Sequence, residues 1–287
     1  MDSQAPVRFV ELVSVFILGA FVLAQPRAER KGFLKDALII GLAAVLGEET
    51  CIAFYEFYRY SPLWSVKVLE VPVMVGCIWP AVVLSARQVV RAVRGDTHPL
   101  AVAGVVLFDA TLVEAVSVRT GLWQWIEGAV FEVPIIGLVG WAAYAGAASA
   151  VMDHVSLSPG RKPTATPVVA TWLRLLVPPL VAHLVLLATW WGALRWMLRA
   201  PLSATVLATL SAVVALLLTV VLWKKRGTVP LSIMGPRAAA AVLFFLLVGL
   251  RGTGALELAM FTVPFAVPYV VMTRWSARVS HTLHTVA

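Results

Sequence analysis

The chain has 287 residues, of which 60% are hydrophobic and 13% charged, and its net charge is +8. A water-soluble domain carries about a quarter charged residues, and a mean hydropathy of +0.89 leaves too little polar surface for a soluble globule. The basic residues sit in short clusters between apolar runs, a pattern of membrane topology and not of nucleic-acid binding. The two cysteines, Cys51 and Cys77, lie inside apolar runs, and no CxxC or Cys/His spacing occurs, so neither a disulfide framework nor a metal site is expected.

A membrane span needs about 20 apolar residues. Segments of this kind recur at 8–24, 35–57, 66–86, 99–118, 129–151, 170–194, 202–223, 237–250 and 255–273. They predict an all-α, polytopic transmembrane bundle of about nine spans, a single membrane domain over residues 1–287. The first segment ends in Val22-Leu23-Ala24, as a signal peptide could. The cluster Arg27, Arg30, Lys31 and Lys35 that follows resists export, so residues 8–24 read as an uncleaved span. The breakers Ser61-Pro62, His98-Pro99, Ser158-Pro159-Gly160 and Gly252-Thr253-Gly254 fall between spans. With the N-terminus outside and the C-terminus cytoplasmic, the inner loops collect Arg27 to Lys35, Arg87, Arg91, Arg94, Arg161, Lys162, Lys224, Lys225, Arg226, Arg237, Arg274 and Arg278. These are most of the 23 basic residues, as the positive-inside rule requires. The expected location is the bacterial inner (cytoplasmic) membrane.

The second to fifth spans carry an internal repeat. Glu70-Val71-Pro72 continues to Trp79, and Glu132-Val133-Pro134 continues to Trp141 at the same offset of 62 residues. The preceding spans also correspond, the second holding Glu48 and Glu49 and the fourth Asp109 and Glu114. Spans 2–3 and 4–5 therefore read as a duplicated helix pair running in the same direction, a parallel repeat. Residues 35–151 form this acid-bearing core, and 165–287 add further membrane helices. Each Glu-Val-Pro is expected to open its span at the outer face, where proline costs little.

A carboxylate at mid-membrane costs about 2.5–3.5 kcal/mol on insertion scales and usually marks a functional site. The chain has only 15 Asp and Glu, so Glu48, Glu49, Asp109 and Glu114, with Glu70 and Glu132 at the starts of spans 3 and 5, are the candidate catalytic or binding groups. Glu48 and Glu49 point about 100° apart on a helix, so at most one enters a narrow site. Tyr58, Tyr60, Trp123 and Trp125 lie at the outer level with other aromatics, where an interfacial belt is the ordinary explanation. Trp79 and Trp141 lie deeper and suit a pocket wall. Acids and aromatic faces in an apolar cavity suit proton-initiated carbocation chemistry on an alkene. His183 is alone in its span, and the remaining histidines lie in loops or the tail. No HxxxH pair, Asp-rich diphosphate motif, Walker sequence or GxGxxG occurs.

These residues resemble a known family. Asp109-Ala-Thr-Leu-Val-Glu114, Gly121-Leu122-Trp123-Gln124-Trp125, Val133-Pro134 and Gly140-Trp141 look like the carotenoid-biosynthesis membrane proteins. That group includes carotenoid 1,2-hydratases and bisanhydrobacterioruberin hydratases and is related to heterodimeric lycopene cyclases. Glu49 through Tyr58-Arg59-Tyr60 to Val71-Pro72 and Trp79 resembles the family's first half. The chain departs from the pattern in having Glu114-Ala115 for Asp-Pro, Glu70 and Glu132 for glycine before Val-Pro, and Gly137 where an Asn is expected. The resemblance implies a cofactor-free reaction on a polyene or prenyl chain drawn from the bilayer. One buried carboxyl would protonate a terminal C=C, and a second would act as base or cation stabiliser. The outcome is hydration by a lyase-type hydratase or cyclisation by an isomerase-type cyclase. On this reading Glu49 or Asp109 is the acid and Glu114 or Glu132 the base, with Glu70 a further candidate. Glu48, Tyr58, Tyr60, Trp79, Trp123 and Trp141 contact substrate. A proton-coupled transporter using the repeat interface and a non-catalytic membrane partner subunit are the alternatives. Nucleic acid is not an expected partner.

Overall fold

A computed structural model describes residues 4–128, 131–155, 166–194, 203–225, 229–250 and 254–273. The loop charges Arg161, Lys162, Arg226, Arg274 and Arg278 and the breakers at 158–160 and 252–253 lie outside these residues. Helices α1 (Ala5–Ala24), α2 (Arg30–Tyr55), α3 (Val75–Arg94), α4 (Pro99–Arg119) and α5 (Ile135–Val155) are followed by α6 (Pro167–Thr189), α7 (Ala204–Lys225), α8 (Leu231–Leu250) and α9 (Ala255–Thr262). The last continues through a 3-10 turn, Val263–Ala266, as a helical stretch to Thr273. The architecture is an all-α membrane bundle.

Among the described residues nine helices match the nine predicted segments, and seven of them are long and apolar enough to cross a membrane. Helix α3 carries Arg87, Gln88, Arg91 and Arg94 in its second half. In α7 the apolar run includes Thr205–Val221. One correction concerns where spans 3 and 5 begin. Residues 66–74 are not helical: β2 (Lys67–Val68) and β3 (Val71–Pro72) pair antiparallel as a small hairpin, and α3 starts at Val75. Pro72 thus sits on a strand, and Pro134 immediately precedes α5. Proline removes a donor in both places without breaking a helix.

The parallel repeat is visible in the chain path. Strand β1 (Tyr58–Tyr60) leaves the C-terminal end of α2, and β4 (Trp123–Trp125) leaves that of α4. The two strands pair antiparallel, with Tyr58 opposite Trp125, Arg59 opposite Gln124 and Tyr60 opposite Trp123. The flanking bonds Ser61 N–H to Leu122 O and Ile126 N–H to Phe57 O extend the ladder at 3.0 Å each. Paired strands hold the ends of α2 and α4 at one level, so the two helices run in the same direction. The turns around this ribbon hold the described non-glycine residues with left-handed backbone, Glu56, Leu69, Phe131 and Glu132, each costing about 1 kcal/mol or more.

Helix α5 packs on α4 and α6, α2 on α3 and α6, and α1 on α3 and α8. Gly47 permits the α2–α6 contact. A Cβ there would lie 2.9 Å from the Cβ of Pro179, closer than real atoms approach. On the other side of the repeat, Arg87 of α3 is buried and donates to Ser149 O at 2.8 Å and Asp153 Oδ1 at 2.6 Å on α5. Thr97 donates to the same Asp153 carboxylate. Replacing Arg87 with Met strands these acceptors. It is expected to cost about 1.5–3 kcal/mol of stability, read as a lower unfolding midpoint in detergent or lipid nanodiscs.

Candidate active site

Two carboxylates of the repeat face one cavity, each held by three aromatic donors of its own half. Glu48 on α2 accepts the Tyr58 and Tyr60 hydroxyls on Oε2, the Tyr58 bond being 2.9 Å, and the Trp79 indole N–H on Oε1 at 2.7 Å. Glu114 on α4 accepts the Trp123 and Trp125 indoles on Oε2 at 2.9 Å each, and the Trp141 indole on Oε1 at 2.7 Å. The repeat therefore equates Glu48 with Glu114, Tyr58-Arg59-Tyr60 with Trp123-Gln124-Trp125, and Trp79 with Trp141. Each β-strand turns two alternate side chains to one face, and that face meets the carboxylate of the helix before it.

The two halves interlock. Trp79 stacks on Trp141 with ring centroids 4.4 Å apart and planes at 28°. Tyr58 packs on Trp125 at 4.8 Å, and Tyr60 on Trp123 at 5.9 Å. Tyr144 of α5 lies 4.5 Å from Trp79 and anchors its hydroxyl on Ile40 O at 2.7 Å. Burial and the Glu48 carboxyl push the Tyr58 and Tyr60 phenols well above their usual range, so both remain protonated donors. The cavity is also lined by Cys51, Phe57, Gly137, Gly140, Pro179 and His183. His183 Nε2 lies 2.8 Å from Thr50 Oγ1.

The donors differ chemically between the two cages. An indole N–H only donates, whereas a phenol can also accept. Glu114, 2% exposed, meets three groups that can only donate. A protonated Glu48 could turn its O–H onto a tyrosine oxygen. The two cages thus differ in whether their donors can also accept.

Of the residues singled out in the sequence, Glu48, Tyr58, Tyr60, Trp79, Glu114, Trp123 and Trp141 come together here. Glu49 does not. Its carboxylate turns outward and accepts the backbone N–H of Glu70 at 3.1 Å, as the 100° offset from Glu48 requires. Glu70 is exposed on the β2–β3 hairpin, and Glu132 is 64% exposed and pairs with Arg119 at 3.1 Å. Asp109 lies in a different cavity, bound by Arg237 of α8 and the Tyr269 hydroxyl. Trp125, which the sequence placed in the aromatic belt, is a ligand of Glu114. Tyr144 and His183 had no signal beyond their position in apolar spans.

The chain belongs to the carotenoid biosynthesis protein family, whose model matches residues 11–223. No curated protein and no solved structure matches it.

Gly137 accounts for one departure from the family pattern. A Cβ at this position would lie 2.5 Å from the Trp125 ring, so only glycine leaves that indole against Glu114. Gly137→Ala is expected to displace the ring and cost about 1–3 kcal/mol by overpacking. The loss should register in the unfolding midpoint and in the near-ultraviolet circular dichroism of the tryptophan cluster.

Proposed function

We propose that this chain is a membrane enzyme of carotenoid metabolism that performs cofactor-free acid–base chemistry on a terminal C=C of a polyene or prenyl substrate. The observation that carries the reading is the pair Glu48 and Glu114, each held by three aromatic donors at one apolar cavity. The acid role falls to Glu48, whose tyrosine partners tolerate both protonation states. Glu49 and Asp109 have other partners outside this cavity.

In this mechanism the Glu48 O–H transfers its proton to the less substituted CH carbon of the terminal C=C, and the π electrons form the new C–H bond. A tertiary cation is left on the neighbouring carbon. The Tyr58, Tyr60 and Trp79 donors then stabilise the new Glu48 carboxylate. The faces of the stacked Trp79 and Trp141 stabilise the cation, by about 2 kcal/mol or more in a dry site, and the negative Glu114 adds Coulomb attraction. For hydration, water attacks the cation and loses a proton to Glu114. For cyclisation, a neighbouring C=C attacks instead and Glu114 removes a proton from the resulting ring cation. The three indoles occupy three of the roughly four lone-pair sites of a carboxylate, which leaves one for that proton.

The charge pattern supports a location in the bacterial cytoplasmic membrane with the N-terminus outside. Substrate would then come laterally from the bilayer.

The test is expression in a lycopene-producing bacterial host, followed by pigment mass analysis. A product heavier by one water indicates hydration, and an isomer with a new retention time indicates cyclisation. Glu48→Gln and Glu114→Gln should each reduce conversion by about a hundred- to ten-thousand-fold, whereas Glu49→Gln should convert normally. Full conversion by the Glu48 and Glu114 variants would refute the mechanism.

A further inference from the structure

A second cavity does not contain the carboxylate pair. It lies between α1, α3, α4, α8 and the α9 segment. Its walls are apolar except for Ser14, Ser85, Asp109, Arg237 and Tyr269. Trp141 lines both cavities, and Ile78 and Val113 of this cavity precede Trp79 and Glu114 of the other. The two spaces therefore lie back to back across the Trp141 indole.

The polar group at its wall is a closed charge pair with one donor to spare. Arg237, its side chain 6% exposed, donates from one terminal nitrogen to Asp109. From the other it donates to Ser85 Oγ at 2.6 Å and Val82 O at 3.3 Å. The Tyr269 hydroxyl also donates to Asp109. Arg237 Nε is buried and has no hydrogen-bond partner among the described residues. An unmet buried donor is destabilising, and an accepting oxygen on a ligand would satisfy it. The guanidinium charge, however, is already balanced by Asp109. A phosphate or diphosphate would bring excess negative charge beside Asp109 in a low-dielectric wall, where like charges repel strongly. The chemistry selects a neutral ligand with a long apolar body and one accepting oxygen.

We propose that this cavity is a second binding site, which takes a neutral isoprenoid chain bearing a hydroxyl or carbonyl oxygen that accepts a hydrogen bond from Arg237. The choice of an isoprenoid rests on the function proposed above. The neutral, oxygen-bearing character rests on the cavity alone. Helices α8 and α9 supply Arg237 and Tyr269 from beyond the segment matched by the family model, residues 11–223. The site thus combines the shared core with an addition from the C-terminal helices.

The experiment uses the full chain in phospholipid nanodiscs and a twenty-carbon isoprenoid alcohol carrying a diazirine, with labelled residues mapped by mass spectrometry. Saturable labelling is expected on the cavity faces of α3 and α8, around Val82 and Ala241. The free alcohol should compete with it. The corresponding diphosphate and an oxygen-free hydrocarbon should compete at least about tenfold less well, a difference of about 1.4 kcal/mol. Ala241→Trp, which fills the cavity, and Ala241→Phe, a smaller obstruction, should both suppress labelling. Glu48→Gln should leave it intact, so loss of the proposed chemistry and loss of this site are read separately. The proposal is overturned by labelling confined to the lipid-facing surface, by equal competition from the diphosphate or the hydrocarbon, or by insensitivity to both Ala241 variants. Equal labelling of the same residues by a diazirine-bearing phospholipid acyl chain would also overturn it, as it would make the cavity a lipid site.

Discussion

A carboxylate withdrawn from water must regain its lost hydrogen bonds from the protein or give up its charge. In this chain two such groups sit inside a helical bundle, and the local structure around them consists largely of devices that bring donors to their oxygens. The β1–β4 ribbon exists at the level where Tyr58, Tyr60, Trp123 and Trp125 can reach back to the helices that precede them. Trp79 and Trp141 close the cages from α3 and α5 and stack on one another, so the two halves share one wall. Left-handed backbone at Glu56, Phe131 and Glu132 lies in the turns that deliver these elements, and glycine at 137 makes room for an indole. Strain and lost side-chain packing are tolerated where they serve the donors.

The same electrostatic rule governs the rest of the bundle differently. Among the described residues, three arginines are paired across helices: Arg87 with Asp153, Arg174 with Asp36 at 2.7 Å, and Arg237 with Asp109. These pairs join helices distant in sequence. Removing one partner of such a pair leaves the other charge uncompensated. Among the described residues, Glu48 and Glu114 instead receive hydrogen bonds from tyrosine and tryptophan side chains. A cationic partner would fix the charge of each carboxylate. Neutral donors leave it able to gain or lose a proton. That contrast, between acids neutralised by arginine and acids cradled by phenols and indoles, separates structural carboxylates from the pair to which chemistry is assigned here.

Much of this was legible in the residues. Hydropathy located the helices, and the Glu-Val-Pro and Trp recurrence located the repeat, because both are local patterns. The identity of the inward acid was not legible. Glu48 and Glu49 are neighbours, and which one faces the cavity depends on the rotation of α2 set by its packing on α3 and α6. The starts of α3 and α5 were misplaced because residues 66–74 and 131–134 are as apolar as a helix, while their hydrogen bonding is decided by pairing and turn geometry. Asp109 read as a site acid because its partners, Arg237 and Tyr269, lie 128 and 160 residues further along the chain. Arg237 had been counted as a loop charge. Its burial in the bundle is a tertiary fact without a local signature.

The central claim is that one cage holds a proton donor and the other an anion. Isotope-edited infrared spectroscopy of the purified protein in lipid reads this directly through the stretching band of a protonated carboxyl group. The account predicts that this band contains a component removed by Glu48→Gln and retained in Glu114→Gln. A band removed by Glu114→Gln and unchanged in Glu48→Gln would reverse the assignment and contradict the account.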